Sequence, residues 1–319
     1  MWTICGQTLN AGEKRQVNLC PGVSGYEMPA TLVCGAEPGV TLVVTAGIHS
    51  GEYPATPAVA RVAKAVEPGA LKGNLLLVHC VNTSGFRAKS NGLVPEDGAN
   101  LNGNYPGDPN GTTGQRIADW FVREVFPHAG FLLDMHSGGS MEPLTPCLFF
   151  PRADKVRRAS LEAAKALDIP YLIESTATKG EYSYAANFCG VPGLLVERGH
   201  SGYCRDAWVK DYERDLWLML IHLGMYDAGV SRETCAKRVY EKTIYLTAAE
   251  AGLWRPAIRE DQRVQKGELL GRVEDFYGNP VSEYRAEADG TVFYYTAGLA
   301  INPGDPLVAY GLEEFARGE

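Results

Sequence analysis

Residues 41–54, TLVVTAGIHSGEYP, constrain the fold more than any other part of the chain. Thr41 to Ala46 form an apolar, β-branched run, the pattern of a strand buried on both faces. Gly47 breaks that run. Pro54 suits the first turn of a helix, and Ala58, Val59, Val62, Ala63 and Val66 follow at helical spacing. A buried strand that passes through a short loop into an amphipathic helix is the repeating unit of sheets covered by helices. His49 and Glu52 fall on the loop at the C-terminal end of this strand, where open α/β sheets bind their ligands. An imidazole and a carboxylate on such a loop can turn towards one ion and supply two of the three protein ligands of an open catalytic zinc site. The pair alone decides little. Six histidines, each with a roughly 7% chance of Glu three places on, give about one chance in three of a match somewhere.

The strand–helix unit recurs along the chain. The first 30 residues are rich in glycine and suggest a short hairpin or arm. Residues 30–34 and 41–46 give two strands joined by a turn at Pro38-Gly39, and residues 74–81 are apolar on both faces, as in a central strand. Residues 85–111 form a long segment of Gly, Asn, Pro and Asp, of a length that in a compact domain marks a functional loop. Thr112 or Thr113 can cap a helix reaching Pro127, with Ile117, Phe121 and Val125 on one face. Strands follow at 131–136, 147–150, 171–173 and 194–197, a surface helix at 153–167, and a long amphipathic helix at about 206–226. Residues 1–234 are therefore expected to form an α/β domain, a mixed, mostly parallel sheet with helices on both faces.

From residue 235 the character changes. Turn signals at Lys266-Gly267, Gly278-Asn279-Pro280, Asp289-Gly290 and Pro303-Gly304 separate short β-prone runs. The segments VQKGELL from Val264 and INPGDPL from Ile301 are one pattern used twice, 37 residues apart. Residues 235–319 are expected to form a small all-β domain of barrel-sandwich type, similar to a biotinyl or lipoyl half-barrel. The lysine that such carriers modify at their hairpin tip is missing, so a carrier role is not expected.

The net charge of −8, with no basic run, argues against a nucleic-acid partner. No apolar stretch reaches the length of a bilayer crossing, and Met1 leads into Trp2-Thr-Ile-Cys without a charged n-region or an apolar h-region. The eight cysteines contain no C-x-x-C pair, and a disulfide framework is not expected in so long a chain. A cytoplasmic protein acting on a small molecule, with no membrane partner, is the resulting expectation. Homo-oligomerisation is left open.

Three strand ends present polar groups: His49 with Glu52, His136, and Glu197. Singly, each fits a hydrogen-bonded histidine or a surface carboxylate. Together, on one edge of an α/β sheet, they are hard to obtain by accident. His79 inside a strand, His128 after a helix end and His222 within a helix fit structural roles. His200 is close enough to Glu197 in sequence to reach the site but ranks below the others.

In this order the motifs resemble those of the zinc carboxypeptidase superfamily, and more closely its succinylglutamate desuccinylase/aspartoacylase branch. AGIHSGE at 46–52 is similar to that branch's first zinc motif, and PEDGANLNGNYPG at 95–107 to its substrate loop. LDMHSGG at 133–139 resembles the motif of the third ligand, and Leu195-Val-Glu197 the strand of the catalytic glutamate. The resemblance covers nearly the whole chain and implies that His49, Glu52 and His136 bind one zinc ion. It makes Glu197 the general base and then the general acid. Two neutral imidazoles and one carboxylate leave zinc net positive with a position for water, and a separate carboxylate must move the proton. Asp134, two residues before His136, either orients its ring or pairs elsewhere.

One departure stands out. The branch usually has Asn-Leu-Asn-Arg, whose arginine grips a substrate carboxylate, whereas this chain has Gly103 there. Asn102 remains as a hydrogen-bonding group. Arg87 or Lys89 stands near the position of the arginine that steadies the oxyanion in the family, and Arg198 is placed to replace the missing clamp. Each of these cations equally fits a solvated surface charge. The expected activity is zinc-dependent hydrolysis of the amide bond of a small N-acylated amine or amino acid. The alternatives are a metallocarboxypeptidase on short peptides and a non-catalytic binding protein on the same fold.

Overall fold

In the computed structural model, which describes residues 1–318, ten strands make one mixed sheet. From one edge the order is Ala316–Gly318, Arg238–Tyr240, Tyr171–Ser175, Cys147–Pro151, Gly193–Glu197, Phe131–His136, Glu37–Ala46, Lys72–Val78, Met28–Cys34 and Glu13–Leu19. The four central strands from Gly193–Glu197 to Lys72–Val78 run parallel to one another. Antiparallel pairings flank them on both sides. Alternation along each strand splits the core in two. Leu42, Val44, Leu133 and Val196 face one apolar layer with the helices Ala55–Ala65, Asp154–Ala166 and Asp206–His222. Val43, Leu132 and Leu195 face the other, with Ile117, Phe121 and Ala185. Helices on both faces were the expectation, and they are present.

Local differences have local causes. The opening hairpin pairs Trp2–Ile4 with Gln7–Leu9, and the following residues Glu13–Leu19 add a sheet strand that their polar composition concealed. The helix begun by the Thr112 capping box runs as Thr113–Trp120, loosens into a wider turn at Phe121–Val125 and tightens at Phe126–His128. The long final helix stops at His222 because Gly224 takes a left-handed conformation, φ +66°. A short helix, Glu181–Tyr184, continuing to Cys189 carries no readable periodicity and was not expected.

Beyond residue 235 two four-stranded antiparallel sheets enclose Trp254, Leu270, Val273, Val292, Leu307 and Tyr310. The repeated segment has a structural meaning. Arg263–Val264 and Leu269–Glu274 lie in different sheets, as do Ala300–Ile301 and Pro306–Leu312, so each copy carries the chain from one sheet to the other. Gly267 and Gly304, at φ +86° and +90°, make the two turns. The same region also begins and ends in the large sheet, through Arg238–Tyr240 and Ala316–Gly318. Among the described residues no helix is long and apolar enough to cross a membrane.

The ends of the two strands that carry His136 and Glu197 are fastened from the helical side. Tyr212, fully buried, donates its hydroxyl hydrogen to the carbonyl of His136 and accepts from the Arg198 amide at 2.8 Å. Arg198 is itself 6% exposed, and its guanidinium grips Asp215 through Nε at 2.5 Å and Nη2 at 3.1 Å. Asp215 is wholly buried on the final helix, so the pair bolts that helix to the sheet. Removing one partner of such a pair leaves an uncompensated buried charge. Asp215→Ala is therefore expected to cost about 3–5 kcal/mol in denaturant unfolding, and a loss below about 1 kcal/mol would show that the guanidinium finds other partners.

Candidate active site

The parallel register sets Glu197 directly beside His136 on adjacent strands, and Ala46 beside Met135. Past Ala46 the chain must turn sharply over the sheet edge. Gly47 makes the turn at φ +67°, where an added Cβ would lie 3.0 Å from Cys80 Sγ. The loop then folds back, with the Glu52 amide donating to the His49 carbonyl at 3.1 Å. This brings the Glu52 carboxylate between two imidazoles. Its Oε1 lies 2.8 Å from His49 Nδ1 and its Oε2 3.0 Å from His136 Nδ1. The rings meet edge to face at 4.9 Å, and one donor atom from each of the three residues falls within 4.8 Å of the other two. The Ser137 amide donates to Glu52 Oε2 at 3.0 Å and aims the carboxylate.

The far side of each ring is also held. His49 Nε2 is 3.0 Å from Asn100 Oδ1, and His136 Nε2 is 2.9 Å from Asp134 Oδ1, although the latter contact lacks hydrogen-bond alignment. With an oxygen beside each Nε2, a proton carried there by the neutral ring would leave Nδ1 as the nitrogen free to meet an ion. Burial alone would raise the Glu52 carboxyl, but His49 and His136 outweigh it and hold it at about 2. Burial likewise opposes charge on His136, yet Asp134 and Glu52 raise it well above its ordinary value. Two imidazole nitrogens and a carboxylate converging on one point fit the donor set of a three-ligand zinc centre, so these residues could hold the metal.

Glu197 Oε2 is buried without a hydrogen-bond partner. Burial, followed by the Glu52 charge, pushes this carboxyl well above the usual range. It lines a cavity of about 300 Å³ with Asn102, Phe149, Tyr182, Tyr245 and Tyr294. A second cavity of about 280 Å³ is lined by His49, Glu52, Asn91, Asn100, Ser140 and Glu142. Burial and the nearby Glu52 push the Glu142 carboxyl up to about 7.

The remaining expected groups divide. Asn102 is at the site, its Oδ1 accepting from the Glu181 amide at 2.7 Å. Arg87 and Lys89 are exposed at the end of the helix Thr83–Ala88 and line neither cavity. Arg198 alternates with Glu197 along the strand and is spent on Asp215, so it cannot clamp a substrate. Gly103 is exposed, with nothing within 4 Å of an added Cβ. His200 packs against Trp208 at 5.0 Å and beside Gly138, and His79 bonds Thr31 Oγ1 at 2.9 Å; neither belongs to the cluster of His49, Glu52 and His136. Sequence reasoning missed Asn91, Glu142, Lys179 and Tyr294. Glu142 could have been suspected from its closeness to His136, but Tyr294 reaches the cavity from the far end of the chain and leaves no local signal.

Residues 38–215 match the sequence profile of the succinylglutamate desuccinylase/aspartoacylase catalytic domain. The chain is 29% identical over 291 residues to the N-alpha-acetyl-L-2,4-diaminobutyric acid deacetylase of Halomonas elongata, covering 88% of this chain and 84% of that one. The product-bound structure of the ectoine utilization protein EutE (DoeB) from Ruegeria pomeroyi superposes with a TM-score of 0.85 at 26% identity, over 96% of this chain and 97% of that one. A succinylglutamate desuccinylase from Silicibacter sp. TM1040 gives a TM-score of 0.79 at 27% identity, over 90% and 89%.

The outer contact on His136 generates a direct test. Carboxylates that orient a ligating imidazole are worth about 10- to 100-fold in metal affinity. Asp134→Asn should weaken zinc binding by that factor in a chelator-competition titration, and unchanged affinity would mean that Asp134 does not hold the ring.

Proposed function

Because the chain belongs to the succinylglutamate desuccinylase/aspartoacylase family, we propose that it is a zinc-dependent deacylase that hydrolyses the amide bond of a small N-acylated amine or amino acid. The observation that carries this reading is the convergence of His49, Glu52 and His136 beside an unpaired, buried Glu197 oxygen. In this reading residues 1–234 carry the hydrolytic groups, and residues 235–319 wall the cavities through Tyr245, Tyr294, Thr296 and Pro306.

His49 Nδ1, His136 Nδ1 and Glu52 would hold one zinc ion per chain. Zinc there would lower the pKa of a bound water towards neutrality and polarise the amide carbonyl. The chain's own residues do the rest. Glu197 takes the water's proton and delivers it to the departing nitrogen. Its surroundings suit the second step, because a carboxyl whose proton affinity is raised by burial holds the proton until the amine can accept it. Asn100 and Asp134 keep the two rings in the ligating orientation. Asn91, its Oδ1 accepting from the Ser140 hydroxyl at 2.5 Å, retains an amide nitrogen as a neutral donor in the His49 cavity.

Elemental analysis should find about one zinc per chain, with most of it lost in His49→Ala and His136→Ala. Glu197→Gln should keep metal and fold but lose at least about 10²-fold in turnover. Substrates for this assay are Nα-acetyl-L-2,4-diaminobutyrate, which the Halomonas relative's name indicates, together with N-acetyl and N-succinyl amino acids and short peptides. Near-normal turnover by Glu197→Gln would place the base elsewhere.

A further inference from the structure

We propose that the amine this chain releases carries an aromatic or branched aliphatic side chain and a carboxylate, with Lys179 receiving the carboxylate. This rests on the deacylase reading above and adds the substrate class. Glu197 must hand its proton to the departing nitrogen, so the amine half of the substrate lies on the Glu197 side and the acyl half on the His49 side. The Glu197 cavity, at about 300 Å³, is at the lower end of the range for small-molecule sites. Its walls are Phe149, Tyr182, Leu195, Tyr245 and Tyr294, from four different strands and one short helix. Such a surface gains by burying an apolar side chain.

The charges point the same way. Glu197 and Lys179 are the charged residues lining this cavity. Lys179 is exposed and makes no ion pair among the described residues. Its loop is fastened to the cavity floor. Gly180, at φ +104°, brings the backbone so close that an added Cβ would lie 3.1 Å from Asn102 Oδ1, and the next amide donates to that oxygen. Asn102 therefore keeps its amide nitrogen for the substrate, beside the lysine. An ammonium-bearing side chain would meet Glu197 as its one acid here, and pairing with it would occupy the base. Glu142 lines the His49 cavity instead. The cavity thus suits an amino acid with an apolar side chain better than a diamino acid.

The zinc-loaded full chain is assayed on the Nα-acetyl derivatives of L-phenylalanine, L-leucine and L-2,4-diaminobutyrate, and on N-acetylphenethylamine, which lacks the carboxylate. The phenylalanine and leucine derivatives should exceed the diaminobutyrate derivative in kcat/KM by at least about tenfold. Loss of the carboxylate should cost the unaltered chain about tenfold and Lys179→Met almost nothing. Calorimetry on Glu197→Gln should show free phenylalanine binding more tightly than diaminobutyrate. Preference for the diaminobutyrate derivative overturns the substrate class while leaving a deacylase. An equal carboxylate effect in Lys179→Met overturns the role of the lysine. Cleavage of none of these amides, nor of the N-succinyl amino acids and peptides, overturns the deacylase reading and this inference with it.

Discussion

A carboxylate buried between two imidazoles is the constraint on which the site depends. Glu52 is only 8% exposed, and its charge is tolerated there because both Nδ1 atoms and the Ser137 amide face it. Those three partners come from two different segments, the loop after Glu37–Ala46 and the end of Phe131–His136. The contact can form only if the two strands are neighbours, parallel and in the observed register. A slip of one residue would turn His136 to the opposite face of the sheet, towards the helices that bury Met135. The site thus checks the topology, and the topology aims the site.

The parts legible in the sequence were those whose signal is local. An apolar run closed by a polar residue marked the strand ends at His49, His136 and Glu197, and those ends do share an edge. Periodicity placed the helices Ala55–Ala65, Asp154–Ala166 and Asp206–His222 to within a few residues. The strand Glu13–Leu19 escaped because an edge strand with polar residues on one face lacks the apolar run of a central one.

The substrate-facing residues were far less legible, for a physical reason. Arg198 and Glu197 are adjacent in sequence, yet a strand sends successive side chains to opposite faces. One therefore reaches the cavity and the other the final helix, and nearness in sequence misled. Arg87 and Lys89 sit at a helix end whose direction no pattern encodes. Lys179 and Tyr294 arrive at the cavity from segments that lie beside Asn102 only in the folded chain.

The way residues 235–318 are attached has a mechanical consequence. Their first strand pairs with Tyr171–Ser175 and their last strand pairs with that first one, so both chain ends of the region are tied to one edge of the large sheet. Swinging it aside like a lid would require tearing backbone hydrogen bonds from the sheet edge. Cutting it away would be worse, because Arg238–Tyr240 caps the inner strand Tyr171–Ser175, whose outward hydrogen-bonding groups would then be bare. The region that walls the cavities is also the selvedge that keeps the large sheet from fraying or pairing with a neighbour.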